Sequence, residues 1–113
     1  MDTRGFLARV LGDSGYYCVF GLKTGGSKRV LKFYSSLDAA LNCARDFDES
    51  GLDAYFALST FEEDGRRTKD NALQVRSLFL DLDCGPEKPF RDQTEALAAL
   101  RAFCTELKLP KPL

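Results

Sequence analysis

The chain predicts an α+β domain, a mixed or antiparallel sheet with two main helices packed on it. Three observations carry this. β-rich runs of alternating type occupy the first third and the middle, two segments switch to helical spacing, and each switch is marked by capping and stop residues. With 113 residues the chain is long enough to bury a sizeable core as one domain.

The start, "MDTRGFLARVLGDSG", carries no decisive pattern and is left unassigned. "GYYCVFGL" and "KRVLKFYSS" are β-rich and flank "KTGGSK", which reads as a hairpin turn around Gly25 and Gly26. "SSLDAALNCARDFDESG" then places Leu37, Leu41, Ala44 and Phe47 on one stripe. Ser35 and Asp38 fit a capping box, and Gly51 fits a helix stop. "LDAYFALSTF" predicts a strand, the polar "EEDGRRTKDN" a loop, and the run through "LFLDLDCG" another strand. "GPEKPF" is a turn. Asp92 and Glu95 open a second helix with the stripe Leu97, Leu100, Cys104 and Leu107, and Pro110 and Pro112 stop it. The order is ββαββα. "PKPL" looks like the entry to a further strand, so the sequence reads as a truncated chain or the first half of a larger domain.

Composition narrows the function classes. At 44% hydrophobic and 29% charged residues, the chain reads as neither disordered nor membrane-embedded. No apolar run approaches the roughly 20 residues of a spanning helix, and the start is no signal peptide, so a cytoplasmic protein is expected. A net charge of −1 argues against gripping nucleic acid through a bulk positive field. The absence of histidine removes Ser-His and Cys-His chemistry. Cys18, Cys43, Cys84 and Cys104 form no C-x-x-C pair and are expected as buried, reduced thiols.

The chemistry-bearing feature is Asp81-x-Asp83 inside an apolar run. On a strand, alternate residues share a face, which puts the two Cα atoms about 6.6 Å apart with both carboxylates able to lean toward one cation. Unscreened, they would repel each other. Mg²⁺ suits such a pair because it takes oxygen ligands and keeps water and phosphate in its shell. The plainer reading makes Asp83 a cap for the turn at Cys84-Gly85 and leaves Asp81 facing solvent. Lys88 follows the turn, where it can neutralise a phosphate. Arg66, Arg67, Lys69 and Arg76 are either phosphate contacts or a solvated loop balanced by Glu62, Glu63 and Asp64. The strand aromatics Tyr16, Tyr17, Phe33, Tyr34, Tyr55 and Phe56 are read as core.

"YFALSTF", the basic loop with Arg67 and Asn71, "RSLFLDLDCGPEKPF" and "ALAALRAFCTELKLPKP" together resemble the archaeo-eukaryotic primase superfamily. The likeness is to the primase-polymerase domains of phages and other mobile elements. It covers most of the chain, with "GYYCVFG" and "KFYSSLDAAL" included. The resemblance implies that Asp81 and Asp83 are the first catalytic motif and bind Mg²⁺ or Mn²⁺. It matches Lys88 to a lysine often seen after that motif. It also implies a DNA template and nucleoside triphosphates as partners in the complete domain, with a helicase domain or replication protein nearby. The family continues with S-G-x-G-x-H and a later metal-binding aspartate. Neither is in this chain, which implies weak or no catalysis by these residues alone.

Two other classes stay open. One is a non-catalytic interaction domain or remnant of a mobile element. The other is a phosphatase of the haloacid dehalogenase type, in which the first aspartate of a D-x-D is the nucleophile. Against the phosphatase, Cys84 stands where that family has glycine, and the motif comes late in the chain.

Overall fold

A computed structural model describes all residues from Met1 to Leu113. The fold is α+β, with three α-helices and two small antiparallel sheets. It divides into two compact units, Met1–Leu78 and Phe79–Leu113.

In the first unit, the unassigned start forms helix α1, Thr3–Val10. Asp2 caps it by accepting from the Gly5 N–H at 2.8 Å, which satisfies one of the donors that a helix start leaves free. Strands β1 (Tyr17–Leu22) and β2 (Arg29–Tyr34) form the expected hairpin, in register from Tyr17 opposite Tyr34 to Leu22 opposite Arg29. Gly25 takes a positive φ in its turn. Helix α2 spans Leu37–Glu49. Its cap is Ser36, whose hydroxyl accepts from the Ala39 N–H, so the cap lies one residue later than the Ser35 expected from the sequence.

Strand β3 (Asp53–Phe56) pairs with the other edge of β1, giving the order β2-β1-β3. Both outer strands run antiparallel to β1 and so parallel to each other. Helix α2 makes the crossover between them. Helix α2 also covers one face of the sheet, where Val19, Ala40, Cys43, Phe47 and Leu52 are buried together. A fully buried aliphatic side chain of this kind contributes about 1.5–3 kcal/mol. Gly21 is needed on that face because a Cβ there would lie 2.9 Å from the Phe47 ring. A second cluster, Leu7, Val10, Leu11 and Leu41, joins α1 to α2. At its rim the Arg4 Nε donates to Asp38 at 2.7 Å, which holds the Asp38 carboxyl below its usual range.

The expected strand over "LDAYFALSTF" is divided. After β3 the chain breaks and resumes as β4, Thr60–Phe61, which pairs with β5, Ala72–Gln74. Backbone hydrogen bonds in both directions between Tyr16 and Phe61, 2.8 and 2.9 Å, tie this ribbon to the start of β1. Gly15 turns the chain there at φ +92°, where a Cβ would meet the Phe61 carbonyl oxygen at 2.5 Å.

The run holding the aspartates is not a laddered strand. β5 ends at Gln74, and residues 75–83 carry no strand pairing. Side chains replace the ladder at its start. The Gln74 Oε1 accepts from the N–H groups of Asp13 and Ser14, the Arg76 Nη1 donates to the Ala8 carbonyl, and the Ser77 hydroxyl donates to that of Val10.

The second unit consists of the end of this run, a turn, and helix α3, Gln93–Glu106. Asp92 caps α3 by accepting from the Glu95 N–H at 2.9 Å, as the sequence predicts. The buried stripe differs from the expected one. Ala96 and Cys104 are buried, whereas Leu97 and Leu107 are exposed. The helix is therefore rotated from the face that leucine spacing suggests. Leu80, Leu82, Phe90, Ala99, Leu100 and Phe103 line an apolar groove along it. No helix of the structure is long and apolar enough to cross a membrane.

Candidate metal and phosphate site

Asp81 and Asp83 sit in the second unit, on the segment that enters the turn. Leu80 and Leu82 border the apolar groove, Leu82 half-buried and Leu80 58% exposed, and the aspartates that alternate with them are both exposed. The half-buried Leu82 and the backbone bond from the Phe90 N–H to the Asp83 carbonyl hold this segment, in place of the ladder expected from the sequence.

Neither carboxylate accepts a side-chain hydrogen bond or joins an ion pair. The salt bridges of the chain are Arg4–Asp38, Arg66–Glu63, Arg66–Asp70 and Arg91–Glu95. Asp83 does not cap the following turn with its side chain. Its backbone carbonyl accepts from the Phe90 N–H at 3.3 Å instead, while the Gly85 N–H donates to the Phe90 carbonyl at 2.9 Å.

Lys88 lies within that turn, closed by its own N–H donating to the Gly85 carbonyl at 3.1 Å. Its side chain is exposed and unpaired. Gly85 and Glu87 both take positive φ, which tightens the turn that holds Lys88. The second unit therefore carries Asp81, Asp83 and Lys88 on one short segment.

Arg67 and Arg76 lie in the first unit. Arg76 is engaged with the Ala8 carbonyl at 3.3 Å. Arg67 places its guanidinium 4.7 Å from the centroid of the Phe20 ring. Its neighbour Arg66 is paired with Glu63 and Asp70, so the loop's acidic residues neutralise one arginine and leave the other free.

No group of three or more His, Cys, Asp or Glu residues converges on one point. The chain's own donors at the D-x-D are two carboxylates. That fits a hard, oxygen-seeking cation that fills most of its shell with water and phosphate oxygens, as Mg²⁺ does. The four cysteines are free, with Cys18, Cys43 and Cys104 buried as expected and Cys84 half-buried.

One cluster was not legible beforehand. Phe20 faces Tyr55 across β1 and β3 at a centroid distance of 6.0 Å, with Arg67 above it. Tyr55, read from the sequence as core, is 49% exposed. The available signal was that both alternating sets along "YYCVFGL" are apolar. Helix α2 buries the set containing Val19 and leaves the set containing Phe20 for something else.

Comparison with known protein families, with curated proteins and with solved structures finds no significant match.

Proposed function

We propose that this chain is the part of a primase-type nucleotidyltransferase domain that carries the first metal motif, working in a cytoplasmic setting on a DNA template and nucleoside triphosphates. The observation that carries the reading is the pair of exposed, unpartnered carboxylates of Asp81 and Asp83 on either side of the half-buried Leu82. In this reading the two carboxylates hold Mg²⁺ or Mn²⁺, and Lys88 contacts a phosphate of the incoming nucleotide. Divalent metal, when bound, activates an attacking 3′-hydroxyl and stabilises the departing pyrophosphate. The chain's own work is positioning and charge neutralisation. Arg67 and Arg76 are assigned to phosphates of the nucleic acid.

Mn²⁺ titration followed by water proton relaxation tests this. Binding is expected in the unmodified chain and lost in both Asp81→Ala and Asp83→Ala, with unchanged thermal unfolding. Binding retained in the double variant would overturn it. Hydrolysis of a generic phosphomonoester, abolished in Asp81→Asn, would assign the motif to the phosphatase class instead.

A second reading, a non-catalytic interaction module, is favoured by the apolar run Val75, Leu78 and Leu80, which stays exposed. It predicts a chain indifferent to divalent metal.

A further inference from the structure

The three-stranded sheet has two faces, and helix covers only one. Tyr17, Val19, Val30, Tyr34 and Phe56 point toward the α2 side. By strand alternation Phe20, Leu22, Leu31 and Tyr55 share the opposite face. The registers confirm the neighbourhood, with Phe20 directly opposite Leu31 on one side and Tyr55 on the other. The β4–β5 ribbon reaches one end of this face, where Phe61 packs edge-on against Phe33 at 5.7 Å. Beyond it the surface stays open, with Leu31 38% and Tyr55 49% exposed.

Two cations on this open stretch take part in no ion pair. Arg67 lies over Phe20 and takes part in no ion pair. Arg29, opposite Leu22 in the hairpin register, is exposed and likewise unpaired. One carboxylate shares the face, Asp53, which accepts the hydroxyl hydrogen bond of Thr24 and keeps its charge, so the face carries two cations against one anion.

From this geometry we infer that Phe20, Tyr55 and Arg67 form a seat for single-stranded nucleic acid, in which a base stacks on the open Tyr55 ring and Arg67 takes the adjoining phosphate. An aromatic ring beside free guanidinium groups on an open sheet matches the two chemistries a single strand presents, flat π-faces and a regular negative charge. Phe20 holds Arg67 over its π-face, and the same ring neighbours Tyr55, so cation and tyrosine share Phe20 as a common support. Arg29 extends the charge along the hairpin for a second phosphate. The contact is local and does not need a basic protein overall, which reconciles it with the net charge of −1. The partner class is that of the proposed function, and the seat rests on that proposal only for naming the strand a template.

Fluorescence anisotropy of a labelled oligothymidylate, in EDTA and low salt, tests the seat separately from the metal motif. Tyr55→Ala and Arg67→Ala are each expected to weaken binding by about tenfold, the scale of losing one base–aromatic stack. Tyr55→Phe should retain the affinity. Arg29→Ala should flatten the dependence on salt. The chain has four tyrosines and no tryptophan, so the part of the tyrosine emission that Tyr55→Phe removes reports on stacking at Tyr55. Quenching by the oligonucleotide should be much reduced in Tyr55→Phe. Circular dichroism and thermal unfolding of each variant exclude misfolding as the cause. No binding by the unmodified chain, or equal binding by Tyr55→Ala, overturns the seat and leaves the open face to a protein partner. Either result leaves the metal test of Asp81 and Asp83 untouched, and a failed metal test leaves the seat standing.

Discussion

Asn71 and Glu63 hold each other through a reciprocal pair of hydrogen bonds. The Glu63 N–H donates to the Asn71 Oδ1 at 3.0 Å, and the Asn71 Nδ2 donates back to the Glu63 carbonyl at 2.8 Å. The same Nδ2 also donates to the Arg66 carbonyl at 2.6 Å. Asn71 is 2% exposed. One buried amide therefore closes the loop that carries Arg66 and Arg67, in the way a backbone turn would.

Removing that amide has a predictable cost. In Asn71→Ala the backbone groups of Glu63 and Arg66 lose the buried amide that bonds them, at a net cost of about 1 kcal/mol for each of the three bonds. We expect a net loss of about 2–3 kcal/mol in urea unfolding. Because the loop positions Arg67, the variant should also bind oligothymidylate more weakly than its fraction folded explains. A variant as stable as the parent would show that the loop is held by something other than Asn71.

Cys18 provides a prediction in pH. It is 1% exposed, and burial pushes its thiol up from about 9 to about 11, with Arg67 pulling weakly the other way. The folded state thus keeps a proton that the unfolded chain releases near its ordinary value. The associated stability is fully present below about pH 9 and is lost as pH rises toward about 11. Denaturation between pH 8 and 11 should therefore show a steeper fall for the parent than for Cys18→Ala. Identical slopes would place the titrating group elsewhere.

Local signals in the sequence were read well, and long-range ones were not. The hairpin, α2, and the Asp92 cap of α3 follow from glycine placement, apolar spacing and a side-chain oxygen before a helical run, all of which act within a few residues. Pairing is a different matter. "LDAYFALSTF" is continuous in propensity, yet β3 needs β1 and β4 needs β5, so the chain breaks between the two partners. The segment through Asp81 and Asp83 has strong strand character but no ladder, because Gln74, Arg76 and Ser77 secure its start through side chains. The free carboxylates could be suspected from the motif alone. The Phe20–Tyr55–Arg67 cluster could not, because Arg67 arrives from a distant loop.

That unladdered segment leads to the last prediction. Val75, Leu78 and Leu80 are 63%, 86% and 58% exposed, and residues 75–82 make no backbone–backbone hydrogen bonds outside the short β4–β5 ribbon. Extended backbone with free N–H and C=O groups and apolar side chains is a template for pairing with another strand. The chain should therefore self-associate as its concentration rises, visible in sedimentation velocity as a concentration-dependent shift from monomer. Leu78→Lys should restore the monomer without lowering thermal stability, since a residue this exposed supports little of the folded core. The charge acts because strand-to-strand contact would strip water from the ammonium group, as with lysines at natural sheet edges. Leu78 is the most exposed apolar residue of the run and lies in its uncharged stretch between Arg76 and Asp81. A parent chain that sediments as monomer at every concentration would mean that the side-chain bonds of Gln74, Arg76 and Ser77 suffice to keep the edge closed.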